Sequence, residues 1–144
     1  MQVQSILKTK GDRVVTARPE TTIAEAARLL TENRIGAVMV LAEDGRIAGV
    51  LSERDIVTAF ARHALGVATM TVGELMTREV LTCAPDDTVE SVMATMTGRR
   101  VRHLPVVREG TLIGIVSIGD VVKWRLDETA SEADSLRQYV LAGR

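Results

Sequence analysis

Apolar residues recur along this chain in two rhythms, one of period two and one close to period four, and the whole series of rhythms is stated twice. Val14-Val15-Thr16 is a short β-branched run that stops ahead of Pro19, a residue that disfavours helix immediately before it. From Thr22 the spacing lengthens. Ile23, Ala26, Ala27 and Leu30 fall at i, i+3, i+4 and i+7, and Thr22 with Glu25 has the spacing of a Thr-x-x-Glu capping box, so a helix is predicted there. Two extended apolar runs follow, at 37–41 and 46–51, joined through Asp44-Gly45, a dipeptide that favours a tight hairpin. A second helix is predicted from Ser52, carrying Ile56, Val57 and Phe60. The order is β-α-β-β-α.

Residues 16–43 align with 82–109, with Thr16/Thr82, Pro19/Pro85, Thr22/Thr88, Arg34/Arg100, Val40/Val106 and Glu43/Glu109 identical; Asp44 has no counterpart, and the alignment resumes with Gly45/Gly110, Gly49/Gly114, Ser52/Ser117 and Asp55/Asp120. The chain is a tandem duplication. In the second copy Thr88 caps a helix whose stripe is Val89, Val92, Met93 and Met96, Glu109-Gly110 joins the two strands, and Ser117 opens a helix with Val121, Val122 and Trp124. Pro105 has no N–H for a ladder, so its strand is expected at an edge or with its amide side free. Each copy is too short to bury its own apolar faces well, which predicts one shared core. Thr71 to Met76 reads as a short helix leading into copy two, with Val3 to Leu7 as the counterpart ahead of copy one. Leu136, Tyr139 and Val140, at i, i+3 and i+4, predict a C-terminal amphipathic helix. The expected division is 1–63, 64–126 and 127–144.

Composition narrows the function classes. The chain has 144 residues with 18 Lys and Arg against 19 Asp and Glu, a net charge of −1, so there is no global basic field to gather nucleic acid. No apolar stretch is long enough to span a bilayer, and the polar start does not resemble a signal peptide, so a cytoplasmic location is expected. A lone cysteine, Cys83, excludes an internal disulfide and a cysteine-based zinc cluster, and its simplest role is that of a small buried hydrophobe. Gly-x-Gly-x-x-Gly, Walker and His-Glu-x-x-His motifs are all missing from the sequence, so no catalytic constellation is expected.

The chemistry concentrates where a strand runs into a helix: Gly49-Val50-Leu51-Ser52-Glu53-Arg54-Asp55 and its echo at 114–120. Such a junction presents unpaired N–H groups and the positive end of a helix dipole, which favours phosphate. The same Ser-x-x-Asp spacing is also a capping box that satisfies the helix alone. Asp55 and Asp120 are acceptor-only carboxylates suited to a ribose diol. Arg54 adds a charge-assisted donor in the first copy where the second has Gly119, so more phosphate is expected in the first site. In the basic run around Arg99 and Arg108, Arg100 and Arg102 are candidate phosphate clamps or simply a solvated face, and His103 is a candidate source of pH sensitivity.

A tandem pair of β-α-β-β-α units, each ending in Gly-h-h-Ser-x-x-Asp and with Leu75-Met76-Thr77 leading into the second, closely resembles the CBS-domain pair, or Bateman module. The resemblance covers about residues 3 to 126. It implies an α+β fold of two repeats related by a pseudo-two-fold axis, here with an added C-terminal helix, and often a disc-shaped homodimer. It also implies two clefts between the repeats that bind AMP, ATP, NAD(H) or S-adenosylmethionine. By that analogy the adenine rests against Thr16, Ala17 and Pro19 in one cleft and Thr82, Cys83 and Pro85 in the other, with walls from Ile35-Gly36-Ala37 and from Val101-Arg102-His103. A module of this kind signals to an effector protein that the sequence does not name. The alternative is an interaction adaptor with vestigial clefts, working through its C-terminal helix.

Overall fold

A computed structural model describes residues 1–11 and 13–143. Helix α1 (Val3–Lys10) precedes the first repeat, which comprises β1 (Thr16–Ala17), α2 (Ile23–Asn33), β2 (Ala37–Leu41), β3 (Ile47–Ser52) and α3 (Glu53–His63). A 3-10 segment, Ala64–Thr69, and the short α4 (Val72–Leu75) lead into α5 (Val89–Arg99), β4 (His103–Arg108), β5 (Thr111–Ser117) and α6 (Ile118–Ala142). The fold is α+β, two like repeats followed by a helix that runs on well past the second.

In the first repeat β1 pairs parallel with β2, and β2 antiparallel with β3. The second repeat keeps the hairpin, but the segment equivalent to β1 makes a single bridge, Cys83 to Val106. Pro105 explains the loss. Its counterpart, Met39, pairs with Thr16, whereas Pro105 has no N–H and can offer only its carbonyl, which accepts from the Cys83 amide at 3.0 Å. The strand is therefore paired on both sides, with the ladder ending at the proline. Both hairpins carry a bulge at the same place, Ala48 ahead of Gly49 and Ile113 ahead of Gly114.

The turns differ from the sequence expectation. The tight hairpin belongs to the second repeat, where Glu109 (φ 51°) and Gly110 (φ 80°) both take positive φ, as a type I′ turn requires. Asp44 makes the first loop one residue longer; it closes over 42–46, with the Ala42 amide donating to the Arg46 carbonyl at 2.8 Å. The first strand is likewise shorter than the run Val14-Val15-Thr16. Thr22 caps α2 by accepting from the Glu25 amide at 3.2 Å, but among the described residues the return bond of a full box is not made.

The expected single core is replaced by two. Ile23, Ala26, Leu30, Val38, Val40 and Leu51 pack with Val67, Val72 and Met76, while Val89, Val92, Met96, Leu104, Val106, Val116 and Trp124 pack with Val3, Ile6 and Leu7. Each core is thus closed by the lead-in segment that precedes the opposite repeat. Matching bonds hold the exchange: the Gln4 amide donates to the Pro85 carbonyl at 2.9 Å and the Gly73 amide to the Pro19 carbonyl at 2.8 Å. Two motif glycines make room for it. A Cβ on Gly49 would stand 2.7 Å from the Thr77 carbonyl oxygen and 2.8 Å from Met76 Sδ, and one on Gly114 would stand 2.6 Å from Leu7 Cδ2.

The second helices bury less than their sequence stripes suggested. Val121 and Trp124 are inside, but Val57, Phe60 and Val122 are 67%, 53% and 51% exposed.

The glycine contacts give a prediction. At Gly49 the obstacle is backbone, so Gly49→Ala should cost on the order of 1–3 kcal/mol, whereas at Gly114 it is the flexible end of Leu7 and the loss should be smaller. Denaturant unfolding of both variants checks the order; a Gly49→Ala protein within about 0.5 kcal/mol of the parent would contradict it.

Candidate functional site

Both Ser-x-x-Asp motifs form complete capping boxes. Ser52 Oγ accepts from the Asp55 amide at 3.2 Å while Asp55 Oδ2 accepts from the Ser52 amide at 3.0 Å, and the second repeat matches this with Ser117 and Asp120 at 3.2 and 2.8 Å. Each box uses only Oδ2, so capping leaves Oδ1 of both carboxylates for another partner. The first amide of each capped helix bonds across to the wall of its own repeat, Glu53 to the Gly36 carbonyl at 2.9 Å and Ile118 to the Arg102 carbonyl at 2.8 Å.

Two clefts lie between the repeats at these junctions. The first, about 450 Å³, is lined by Val50, Ser52 and Asp55 from one repeat and Thr77, Glu79, Val80, Leu81, Arg99, Val101 and His103 from the other segment, with Met39 and Pro105. The second, about 270 Å³, is lined by Ile115 and Ser117 together with Lys10, Arg13, Val14, Val15, Arg34, Ile35, Gly36, Ala37 and His103. The linings correspond position by position in the duplication. Val14 and Val15 match Val80 and Leu81, Ile35 matches Val101, Ala37 matches His103, and Ser117 matches Ser52. His103 is common to both clefts.

Among the expected site residues, Ile35, Gly36, Ala37, Ser52, Asp55, Val101, His103 and Ser117 line the clefts. Thr16 and Ala17 face a different groove, with Arg18, Arg28 and Glu32. The cleft residues of those segments stand two positions earlier, while in β1 itself the side chains alternate, Thr16 exposed and Ala17 buried in the first core. Pro19 and Pro85 are engaged with the lead-in segments. Thr82 is exposed and lines neither cleft. Cys83 is buried, and burial followed by the Asp87 charge pushes its thiol up to about 11, so it is an inert core residue. Arg54 is exposed on the outer side of α3 and reaches neither cleft, and Arg100 is the left-handed C-cap of α5 (φ 53°), as Arg34 is of α2. Arg102 enters through its carbonyl, with its side chain exposed. Arg99, not Arg100 or Arg102, reaches the first cleft.

The sequence reading missed Lys10. Its ammonium lies 2.7 Å from Asp120 Oδ2 and 3.0 Å from the Ile115 carbonyl, and it holds Asp120 toward a neighbouring groove between α1 and α6 that Ile6 and Trp124 also line. Nothing local marks it: Lys10 is 110 residues from its partner. Burial pushes the Asp120 carboxyl up, but the Lys10 bond, the Ser117 amide and the Lys10 charge outweigh it and leave the carboxyl below its ordinary value. Burial lowers the His103 pKa from 6.5; Lys10 and Arg102 lower it further, and Asp120 and Glu53 oppose them incompletely. His103 is a neutral imidazole at neutral pH. Among the described residues no cluster of His, Cys, Asp and Glu is placed to hold a metal, and no helix is long and apolar enough to cross a membrane.

Paired repeats, exchanged lead-ins and twin clefts at capped helix starts define a tandem-repeat module of the α+β class. A family profile described as "CBS domain" matches residues 4–62 and 72–127, and the chain belongs to that family. It is similar to the solved CBS-domain protein ATU1752 of Agrobacterium tumefaciens, at 43% identity and TM-score 0.83, covering 87% of this chain and 99% of that one. It is also similar to the CBS pair of protein MJ0100 solved with 5-methylthioadenosine and S-adenosyl-L-methionine (29% identity, TM-score 0.77, 86% and 98% coverage). A third similar structure is PAE2072 of Pyrobaculum aerophilum, complexed with AMP (28%, TM-score 0.74, 83% and 89%).

His103 yields a prediction with a definite sign. Its folded pKa lies below the unfolded value of 6.5, so the unfolded state binds the proton first and stability is lost as pH falls through 6.5. Unfolding measured between about pH 7 and pH 5 should show a steeper loss in the parent than in His103→Gln; equal slopes would contradict the burial of a neutral imidazole.

Proposed function

We propose that this chain is a regulatory module that binds adenosine-containing ligands, of the AMP, ATP, NAD(H) or S-adenosylmethionine type, in the two clefts, and reports energy or redox state to an effector protein. One observation carries the reading. Each cleft combines an apolar slot, from Val14, Val15 and Ile35 or from Val80, Leu81 and Val101, with the serine at the start of a capped helix; in the Ser52 cleft the capping acid Asp55 also lines the cleft and keeps an oxygen not used in capping, while Asp120 stands beside the Ser117 cleft, bonded to Lys10. A purine needs the slot, a ribose diol needs the acceptor, and a phosphate needs the helix end. Similar proteins solved with AMP and with methylthioadenosine and S-adenosylmethionine support it. In both clefts the serine Oγ is spent on its helix cap, accepting from the Asp55 or Asp120 amide, which suits a binding role. A reduced buried cysteine suits a cytoplasmic setting. We also infer a homodimer, supported by the apolar residues that α3 (Val57, Phe60) and α6 (Ile118, Val122, Leu126) leave exposed.

A second reading has its own support. The far end of α6 leaves Leu136, Tyr139 and Val140 exposed by 64%, 78% and 52%, which suits an adaptor docking another protein there, with vestigial clefts.

Thermal shift separates the two. For protein stripped of bound ligand, one of AMP, ADP, ATP, NAD, NADH or S-adenosylmethionine at about 100 times its dissociation constant should add about 2.7 kcal/mol and raise the Tm by several degrees. Asp55→Asn and Asp120→Asn keep a capping oxygen but replace the free acceptor with a donor, so each should remove one binding event in calorimetry. Light scattering of the same samples should give twice the 15.6 kDa chain mass. No shift with any of the six would leave the adaptor reading.

A further inference from the structure

The two clefts match in their apolar lining and differ in their charge. Arg13, beside the slot residues Val14 and Val15, corresponds in the duplication to Glu79, beside Val80 and Leu81, and each lines its own cleft. The pseudo-two-fold axis therefore relates a cation to an anion at the same place. The remaining charges widen the contrast. The Ser117 cleft adds Lys10 and Arg34 and, among the described residues, has no acidic lining residue, since Asp120 is drawn aside by Lys10. The Ser52 cleft adds Asp55 to Glu79, with Arg99 as the one cation among the described lining residues. His103, shared by both, is neutral at neutral pH and favours neither.

Resting on the adenosyl-ligand reading, we propose that the clefts are specialised by charge: the Ser117 cleft takes an adenosine ligand bearing a phosphate, held by Arg13, Lys10 and Arg34, and the Ser52 cleft takes an adenosine compound without one. Three cations beside the start of a 25-residue helix form a site for a phosphate monoester, because guanidinium and ammonium donors are charge-assisted and the helix end adds its dipole. Two carboxylates in the other cleft oppose a phosphate by direct repulsion and leave an uncharged or cationic 5′ substituent unopposed. Lys10 gives the phosphate site a second property. Its ammonium already bonds Asp120, so a phosphate that engages Lys10 competes with that bond and releases Oδ2 toward its capping role alone.

Calorimetry of the full chain, stripped of ligand, with AMP and adenosine as probes tests this. Wild type should bind AMP at one site per chain roughly 10- to 100-fold more tightly than adenosine, the range expected for hydrogen bonds to a charged group. Arg13→Glu should bring that ratio to about one, and Glu79→Arg should create a second AMP site. Both side chains are exposed, so neither change threatens folding. An AMP preference that survives Arg13→Glu, or equal affinities for AMP and adenosine in the wild type, overturns the charge assignment while the adenosyl reading stands. Failure of both probes to bind either cleft overturns the two together.

Discussion

The close approach at Gly49 and Gly114 is the constraint on which the rest of the molecule depends. Without a side chain at those positions, each lead-in segment lies directly on the hairpin of the opposite repeat, Met76 and Thr77 on β3 and Leu7 on β5. The exchange completes two cores that neither repeat can close with its own residues. It also explains why glycine heads a motif whose chemistry sits at its other end. The residue that starts Gly-h-h-Ser-x-x-Asp sets the packing, and the residues that finish it set the helix cap.

The same exchange decides what each cleft contains. Because α1 lies across the second repeat, its C-terminal end brings Lys10 to Asp120, with Arg13 following on the same approach to the cleft; because α4 lies across the first, the chain after it brings the neutral Thr77 to that cleft. Two lead-ins of different composition turn a symmetric duplication into an asymmetric pair of sites. The capping boxes are meanwhile identical in form, so whatever distinguishes the clefts comes from the chain that crosses them and not from the motif.

Much of this was legible in the sequence because it is local. The capping boxes, the hairpins and the order of elements each follow from residues within a few positions of one another, and the duplication is that local pattern written twice. What was not legible depends on contacts across the chain. Two cores instead of one, Val14 and Val15 in place of Thr16 and Ala17, Lys10 at Asp120, and Arg54 turned away from the cleft all follow from how one repeat lies on the other. The turn types were a nearer miss. Asp44-Gly45 has the composition of a tight turn, but its extra residue lengthens the loop, while Glu109-Gly110 takes the positive φ pair.

The central claim is that the capped helix starts do two jobs at once, one carboxylate oxygen for the helix and the other for a ribose. A crystal structure of the chain grown with adenosine tests it directly. The account predicts adenine against Val80, Leu81 and Val101 with a ribose hydroxyl within about 3 Å of Asp55 Oδ1, and the Ser52 box unbroken. Adenosine lodged in the groove of Thr16, Ala17 and Arg18, or a ribose that reaches neither Asp55 nor Asp120, would contradict it.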